Sequence, residues 1–321
     1  MALGVARVVA YRFRRTESVP DGLRRITRER IDKSVQHLQE PAEDLAEGIH
    51  AARKRFKEIR AVLRLARPAL GDRYVVENRC YRDLGRELAE ARDAQAVIET
   101  WDKLTERFPA TLRTQVGASG RKRLEERRLQ LVDSNNGTAL PLGRVIDTLV
   151  AARNGVSRWD LQGATVRDGI MQGLVDSYRR GRRAMAGAYE VRDDEHFHEW
   201  RKRIKDQWYH TTLLRPAWHD GLGVRKRSLK ALSDCVGDDH DLAVLIGLMQ
   251  ETPGVIGRAS FRRKLGRLID IRREELRNEA YQLGARLYAD KPKAFGRRMS
   301  VYWSVWRSAA NGERKRALDD Q

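Results

Sequence analysis

Cysteine is nearly absent from this 321-residue chain, with Cys80 and Cys235 the only two. Two thiols are too few for a disulfide framework and lack metal-ligand spacing, so both are expected to be reduced and buried. Proline is scarce, at eight residues, and β-branched runs are few, which leaves little punctuation for a sheet. No stretch approaches the roughly 18 apolar residues of a membrane span. The N-terminal Ala2-Leu-Gly-Val-Ala is soon interrupted by Arg7 and then by Arg12, Arg14 and Arg15, which makes a poor signal peptide. A cytoplasmic protein with no membrane partner is the expectation. Familiar catalytic signatures are missing as well: there is no Gly-rich phosphate loop, no G-x-S-x-G and no HExxH.

Negative charge is also in deficit. Against 64 Lys plus Arg stand 45 Asp plus Glu, a net charge of +19. That much uncompensated charge repels itself in a compact chain and points to an anionic partner. Arg greatly outnumbers Lys, which favours forked recognition of phosphate over point-charge attraction. Hydrophobic residues at 41 % exclude the disordered class, and the abundance of Arg, Ala, Leu and Glu predicts an all-α fold.

The positive charge is organised as a repeat. His50-Ala-Ala-Arg-Lys-Arg-Phe-Lys57 returns as His198-Glu-Trp-Arg-Lys-Arg-Ile-Lys205, an offset of 148 residues. The same offset carries Arg79 onto Arg227, Arg82 onto Lys230, Leu84 onto Leu232 and Asp93 onto Asp241. A repeat of this length predicts two copies of one unit facing each other. Its retained residues are mostly basic, so the two copies are expected to build one shared polyanion site.

Periodicity predicts a helix from Leu45 to Leu70. Phe56, Ile59, Leu63, Ala66 and Leu70 form its apolar stripe, and His50, Arg53, Lys57, Arg60, Arg64 and Arg67 form a cationic ridge beside it. Further helices are predicted over Val75–Ala91, Ala94–Leu104 with Asp93 as N-cap, and Ser119–Val132. The break at Asp133–Pro141 divides the chain into bundles at 18–140 and 141–321. The second half predicts helices over Leu142–Ala152, Thr165–Tyr189 and His196–Leu214. Next come Arg225–Val236, a break at Gly237, and Asp241–Gln250. Arg258–Ala289 and an aromatic tail over Arg297–Ala309 complete the chain.

Two other constellations compete with the ridges. Asp238-Asp-His-Asp241 has the His240-Asp241 dipeptide of metal-dependent phosphohydrolases, but only Asp241 has a counterpart in the first copy, at Asp93, which reads more simply as an N-cap. Trp200, Trp208 and Tyr209 have the chemistry to stack on bases, yet their counterparts are Ala52, Arg60 and Ala61, so core packing is expected.

The pattern of His50, Arg53 and Lys57, then Gly85 to Asp93, echoed by His198, Arg201, Lys205 and Gly237-Asp-Asp-His-Asp241, resembles the CHAD family, the conserved histidine α-helical domain. The resemblance covers nearly the whole chain from about Ser18. It implies two four-helix bundles related by a pseudo-twofold axis, together one CHAD domain, with a basic channel between them. It also implies binding of inorganic polyphosphate, association with polyphosphate granules and their proteins, and no enzymatic activity or cofactor. Some members are fused to triphosphate-tunnel enzymes, whose acidic, strand-rich signature is missing here. Carried over by position, the implied phosphate ligands are His50, Arg53, Lys57, Arg79 and Arg82, with His198, Arg201, Lys205, Arg227 and Lys230. Arg60 and Arg64 extend the first ridge, and Arg179 and Arg183 resemble a basic segment the family places before its second histidine helix. The alternatives are a single-stranded nucleic-acid binder and a metal-dependent phosphohydrolase using His240 and Asp241.

Overall fold

The computed structural model describes residues 11–41, 45–88, 93–135, 142–161 and 165–319. Among these, every regular element is helical and no strand occurs, as the composition predicts. Helix α1 (Val19–Gln39) starts where the Ser18 side chain accepts from the Asp21 backbone N–H and Pro20 presets the first turn. The predicted Leu45–Leu70 helix is two elements, α2 (Leu45–Leu65) and α3 (Arg67–Leu70), split where Pro68 removes a donor. Gly71, at φ 54°, then turns the chain into α4 (Arg73–Glu87). α5 (Asp93–Arg107) begins where predicted, although the Asp93 side chain lies outside the described residues. A short α6 (Pro109–Leu112) and a longer α7 (Gln115–Asn135) follow.

The second half opens with α8 (Leu142–Gly155) and α9 (Thr165–Val191). Arg192, at φ 63°, reverses the chain, and the Asp193 carboxylate caps α10 (Asp194–Leu214) by accepting from the His196 N–H at 2.8 Å. α11 (His219–Glu251), α12 (Pro253–Ile256), α13 (Ala259–Leu287) and α14 (Pro292–Asp319) complete the fold.

One prediction fails in α11. The helix runs unbroken through Gly237, and Asp241 lies in its interior, so it is not an N-cap. A glycine costs about 1 kcal/mol in a helix interior, which the packing of a long helix overrides. Gly237 is buried where α11 meets α10, and a Cβ there would stand 3.8 Å from the Arg201 Nε. A side chain would find ordinary contact there, so the glycine is an interior helix residue and not a turn.

Two hydrophobic cores organise the helices. The larger joins α1, α2, α4, α8, α9, α10, the first part of α11 and α14, around Phe56, Trp159, Tyr178 and Trp200. The second surrounds Trp101 and joins α5, α6 and α7 to the distal part of α11, α12 and α13. Residues on both sides of position 140 thus share the second core. α2 and α10, the helices carrying the repeated motif, cross directly: His210 Nε2 meets the Ala61 carbonyl at 2.9 Å, and Arg64 donates to Asp206 at 2.9 Å.

Candidate functional site: an arginine groove

α2 is buried around most of its circumference, and its ridge is the sector left open. His50, Arg53, Arg60 and Arg64 are half-buried there and Lys57 is exposed, with the exposed Arg67 following at the start of α3. The C-terminal part of the ridge forms one wall of a groove of about 560 Å³. Arg60, Arg64 and Arg67 project from this wall; Arg180 and Arg183 come from α9 and Arg203 from α10. Tyr74 and Asn78 of α4, Ala184 and Gly187 of α9, and His196 and Glu199 of α10 line the remainder.

Few of these charges are neutralised. Arg64 donates to Asp206 at 2.9 Å, and Arg203 pairs with Glu199 at 2.8 Å and with Asp206 at 3.2 Å. Arg60 Nε donates to the Asn78 amide oxygen at 3.1 Å, and the Arg67 guanidinium lies 5.0 Å from the Tyr74 ring centroid. Arg60, Arg67, Arg180 and Arg183 form no ion pair with a described residue. Six guanidiniums thus meet two carboxylates, leaving four uncompensated cations. Burial first, and then Arg64 and Arg82, push the Arg60 guanidinium down to about 10. Arg180 is lowered by burial and by Arg203 and Arg67. Crowded, partly desolvated cations of this kind are relieved by a bound anion.

The repeat reaches deeper than its basic residues. Arg55 pairs with the buried Glu58 at 2.7 Å, and Arg203 pairs with the buried Asp206, each acid three residues on and each pair 148 apart. Glu58 also receives Arg30 at 3.4 Å. Each copy therefore anchors its motif helix with an internal carboxylate.

The remaining motif residues occupy other faces. His198, Arg201 and Lys205 run along the side of α10 that meets α11. There the His198 and His240 rings lie 4.7 Å apart, and burial, with His240, pushes His198 down to about 4. Asp241 sits beside them, raised by burial and drawn back by Arg201. On α4, Arg82 pairs with Asp83 at 2.8 Å and Arg79 is exposed. On α11, Arg227 is exposed and Lys230 pairs with Asp234 at 2.5 Å. Arg179 lines a separate groove against α14 and binds Asp176 at 2.5 Å.

Of the predicted ligands, the groove therefore gathers Arg60, Arg64 and Arg183. Arg67, Arg180 and Arg203 belong to it and were not singled out as ligands in the sequence. Arg203 had a usable signal, the carboxylate three residues on in both copies. The tryptophans behave as expected: Trp200 is fully buried, and Trp208 packs on Tyr209 with rings 4.9 Å apart. Cys80 and Cys235 are free and half-buried. Among the described residues, no three His, Cys, Asp or Glu side chains are placed to hold a metal ion. Asp239, within the tempting acidic cluster, is instead buried under Arg273 at 2.9 Å and Arg277 at 3.0 Å. No described helix is long and apolar enough to cross a membrane.

Compared with protein families, the chain matches the model for the CHAD domain over residues 25–250. Among curated proteins, none matches it.

Proposed function

The chain belongs to the CHAD family, and on that premise we propose that it binds inorganic polyphosphate in the arginine groove. The observation that carries this reading is the convergence of six guanidiniums, four of them uncompensated, on one open groove. A phosphate chain offers one charge per unit with no sugar or base attached, so it can lie along closely spaced arginines. Arg forks fit its oxygens bidentately, and binding releases the chain's condensed counterions.

The ridge continues the path. From Arg60 it leads along α2 through Lys57 and Arg53 to His50, with Arg79 and Arg82 on neighbouring α4. His198, Arg201, Lys205, Arg227 and Lys230 would take a longer chain on the other side of α10. In this reading the two motif copies offer basic surfaces on either side of α10 that one long chain can follow, and the protein works at polyphosphate granules as a binder, not an enzyme.

Single-stranded nucleic acid is disfavoured by the aromatic inventory. Base stacking needs open ring faces; of the two rings lining the groove, Tyr74 lies under the Arg67 guanidinium and the His196 imidazole is held by Asp193 at 2.7 Å.

The test is a polyphosphate titration of the Arg180→Ala, Arg183→Ala double variant beside an Arg263→Ala control on the exposed face of α13. Loss of about tenfold or more in the double variant and none in the control is expected, since each lost charged hydrogen bond removes roughly 1.5 kcal/mol or more. Unchanged affinity in a folded double variant would move the site elsewhere. The enzyme alternative is checked alongside: orthophosphate released with a divalent metal, and abolished by Asp241→Ala, would replace the binding reading.

A further inference from the structure

Arg179 belongs to a second groove that the arginine site does not use. It lies between α9 and α14, encloses about 510 Å³, and has Met171, Val175 and Trp303 along its apolar floor. Its rim carries Arg179, Lys293 and Arg297. Lys293 and Arg297 form no ion pair among the described residues, whereas the Arg179 guanidinium is shared with Asp176. Both walls are firmly seated. The Tyr178 and Phe295 rings stack at 4.1 Å, and Gly296 lets α14 press so close that a Cβ would stand 2.5 Å from Val175 Cγ2.

The apolar surface continues out of the groove onto α14. Val301 and Val305, one turn apart, are 58 % and 64 % exposed, with Arg297 and Arg298 a turn before them. Two valines this exposed on one helix, beside an open apolar groove, form a surface of the kind that marks an interaction site. α14 also lies beyond residues 25–250, so this surface is not made by the family-matched segment alone.

We infer that the α9–α14 groove docks an acidic amphipathic helix of a partner protein. The shape argues for a helix: an open apolar groove between two helices accepts apolar anchors at i, i+3, i+4 and i+7. The charge argues for acid on its flanks, because the rim offers uncompensated cations and its one carboxylate partner is already taken by Arg179. Such a contact would tether a second protein to this one while leaving the arginine groove open.

The test uses a fluorescein-labelled peptide of about 18 residues with leucines at those helical positions and glutamates on both flanks. A scrambled peptide of the same composition is the reference, and anisotropy is the readout. Two variants probe the site. Ser300→Trp fills the groove from a partly exposed position, and the double variant Lys293→Glu, Arg297→Glu reverses its rim. The expected result is binding at least about tenfold tighter than the scrambled peptide, lost about tenfold in both variants. Both variants should keep the wild-type melting temperature and polyphosphate affinity, which separates this inference from the polyphosphate reading. Equal binding of the two peptides would reduce the effect to general charge attraction and overturn the inference. So would peptide binding that survives Ser300→Trp but is displaced by polyphosphate. Absence of peptide binding overturns it as well. If phosphatidylserine vesicles bind instead and release on rim reversal, the surface faces a membrane. If Ser300→Trp abolishes a concentration-dependent dimer, the occupant is a second copy of the chain.

Discussion

Replacing Asp206 with alanine tests how the two motif helices are held together. The carboxylate is 4 % exposed and takes hydrogen bonds from Arg64 of α2 at 2.9 Å and from Arg203 of α10 at 3.2 Å. Arg64 and Arg203 are themselves only 15 % and 17 % exposed in their side chains. Asp206→Ala therefore leaves two guanidiniums in a crowded cationic groove with less than half their former compensation. Removing one partner of a buried ion pair costs about 3 to 5 kcal/mol, because the surviving charge stays desolvated. For a chain of this size that corresponds to a fall in Tm on the order of 10 °C. The assay is thermal and urea denaturation at pH 7, repeated with saturating polyphosphate, which should restore part of the loss by supplying the missing anion. The compensated variant Arg64→Met, Asp206→Leu should recover much of the stability without added anion, since an apolar pair of similar volume needs no desolvation. A loss under about 1 kcal/mol in Asp206→Ala would refute the reasoning, for it would mean the groove arginines are already hydrated and unstrained.

Three further outcomes follow from named contacts. Glu199, held by Lys202 and Arg203 at 2.8 Å each, competes with any anion for the groove; Glu199→Gln should tighten polyphosphate by about threefold in the same titration. His210 is fully buried with Nε2 on the Ala61 carbonyl, and burial pushes its pKa down to about 4. The unfolded chain takes up this proton near pH 6.5 and the folded chain does not, so His210 lowers stability as pH falls from about 6.5 to 4, by up to about 3 kcal/mol. Urea unfolding across that range should show a flatter acid limb in His210→Gln. Gly173 sits where α9 meets α2, and a Cβ there would stand 2.0 Å from the Leu65 carbonyl oxygen. Gly173→Ala should therefore cost about 3 kcal/mol by forcing the two helices apart, and weaken polyphosphate binding with it.

The helices were readable because each amphipathic stripe in the sequence meets a core. The ridge on α2 could be drawn from spacing alone, since a helix buried on its other faces must leave its charged sector open. Gly237 misled because a glycine interrupts a helical pattern in the same way whether it ends a helix or lies inside a long one whose packing carries it through. The groove itself was half visible. Arg60, Arg64 and Arg183 were marked, but their company depends on how α9 and α10 cross α2, which no local pattern encodes. Arg179 and Arg180 are adjacent in one basic run, yet a 100° step on α9 sends one toward α14 and the other into the groove. The carboxylate half of the repeat, Glu58 and Asp206, escaped notice because the two copies use different acids. The partnership of α5 to α7 with α11 to α13 had no signal, as it joins segments far apart in the chain.

The central claim is that the groove reads a bare chain of phosphates. Its most direct test is a titration with long-chain polyphosphate and with single-stranded DNA of matched charge, each at three salt concentrations. Engagement of the four uncompensated groove arginines implies a log–log salt slope of about −3, or roughly 50-fold in affinity between 50 and 200 mM. The expected result is tighter binding of polyphosphate at every salt concentration, with the preference persisting as both affinities fall. Equal affinities that collapse together would contradict the claim and leave only a generic basic surface.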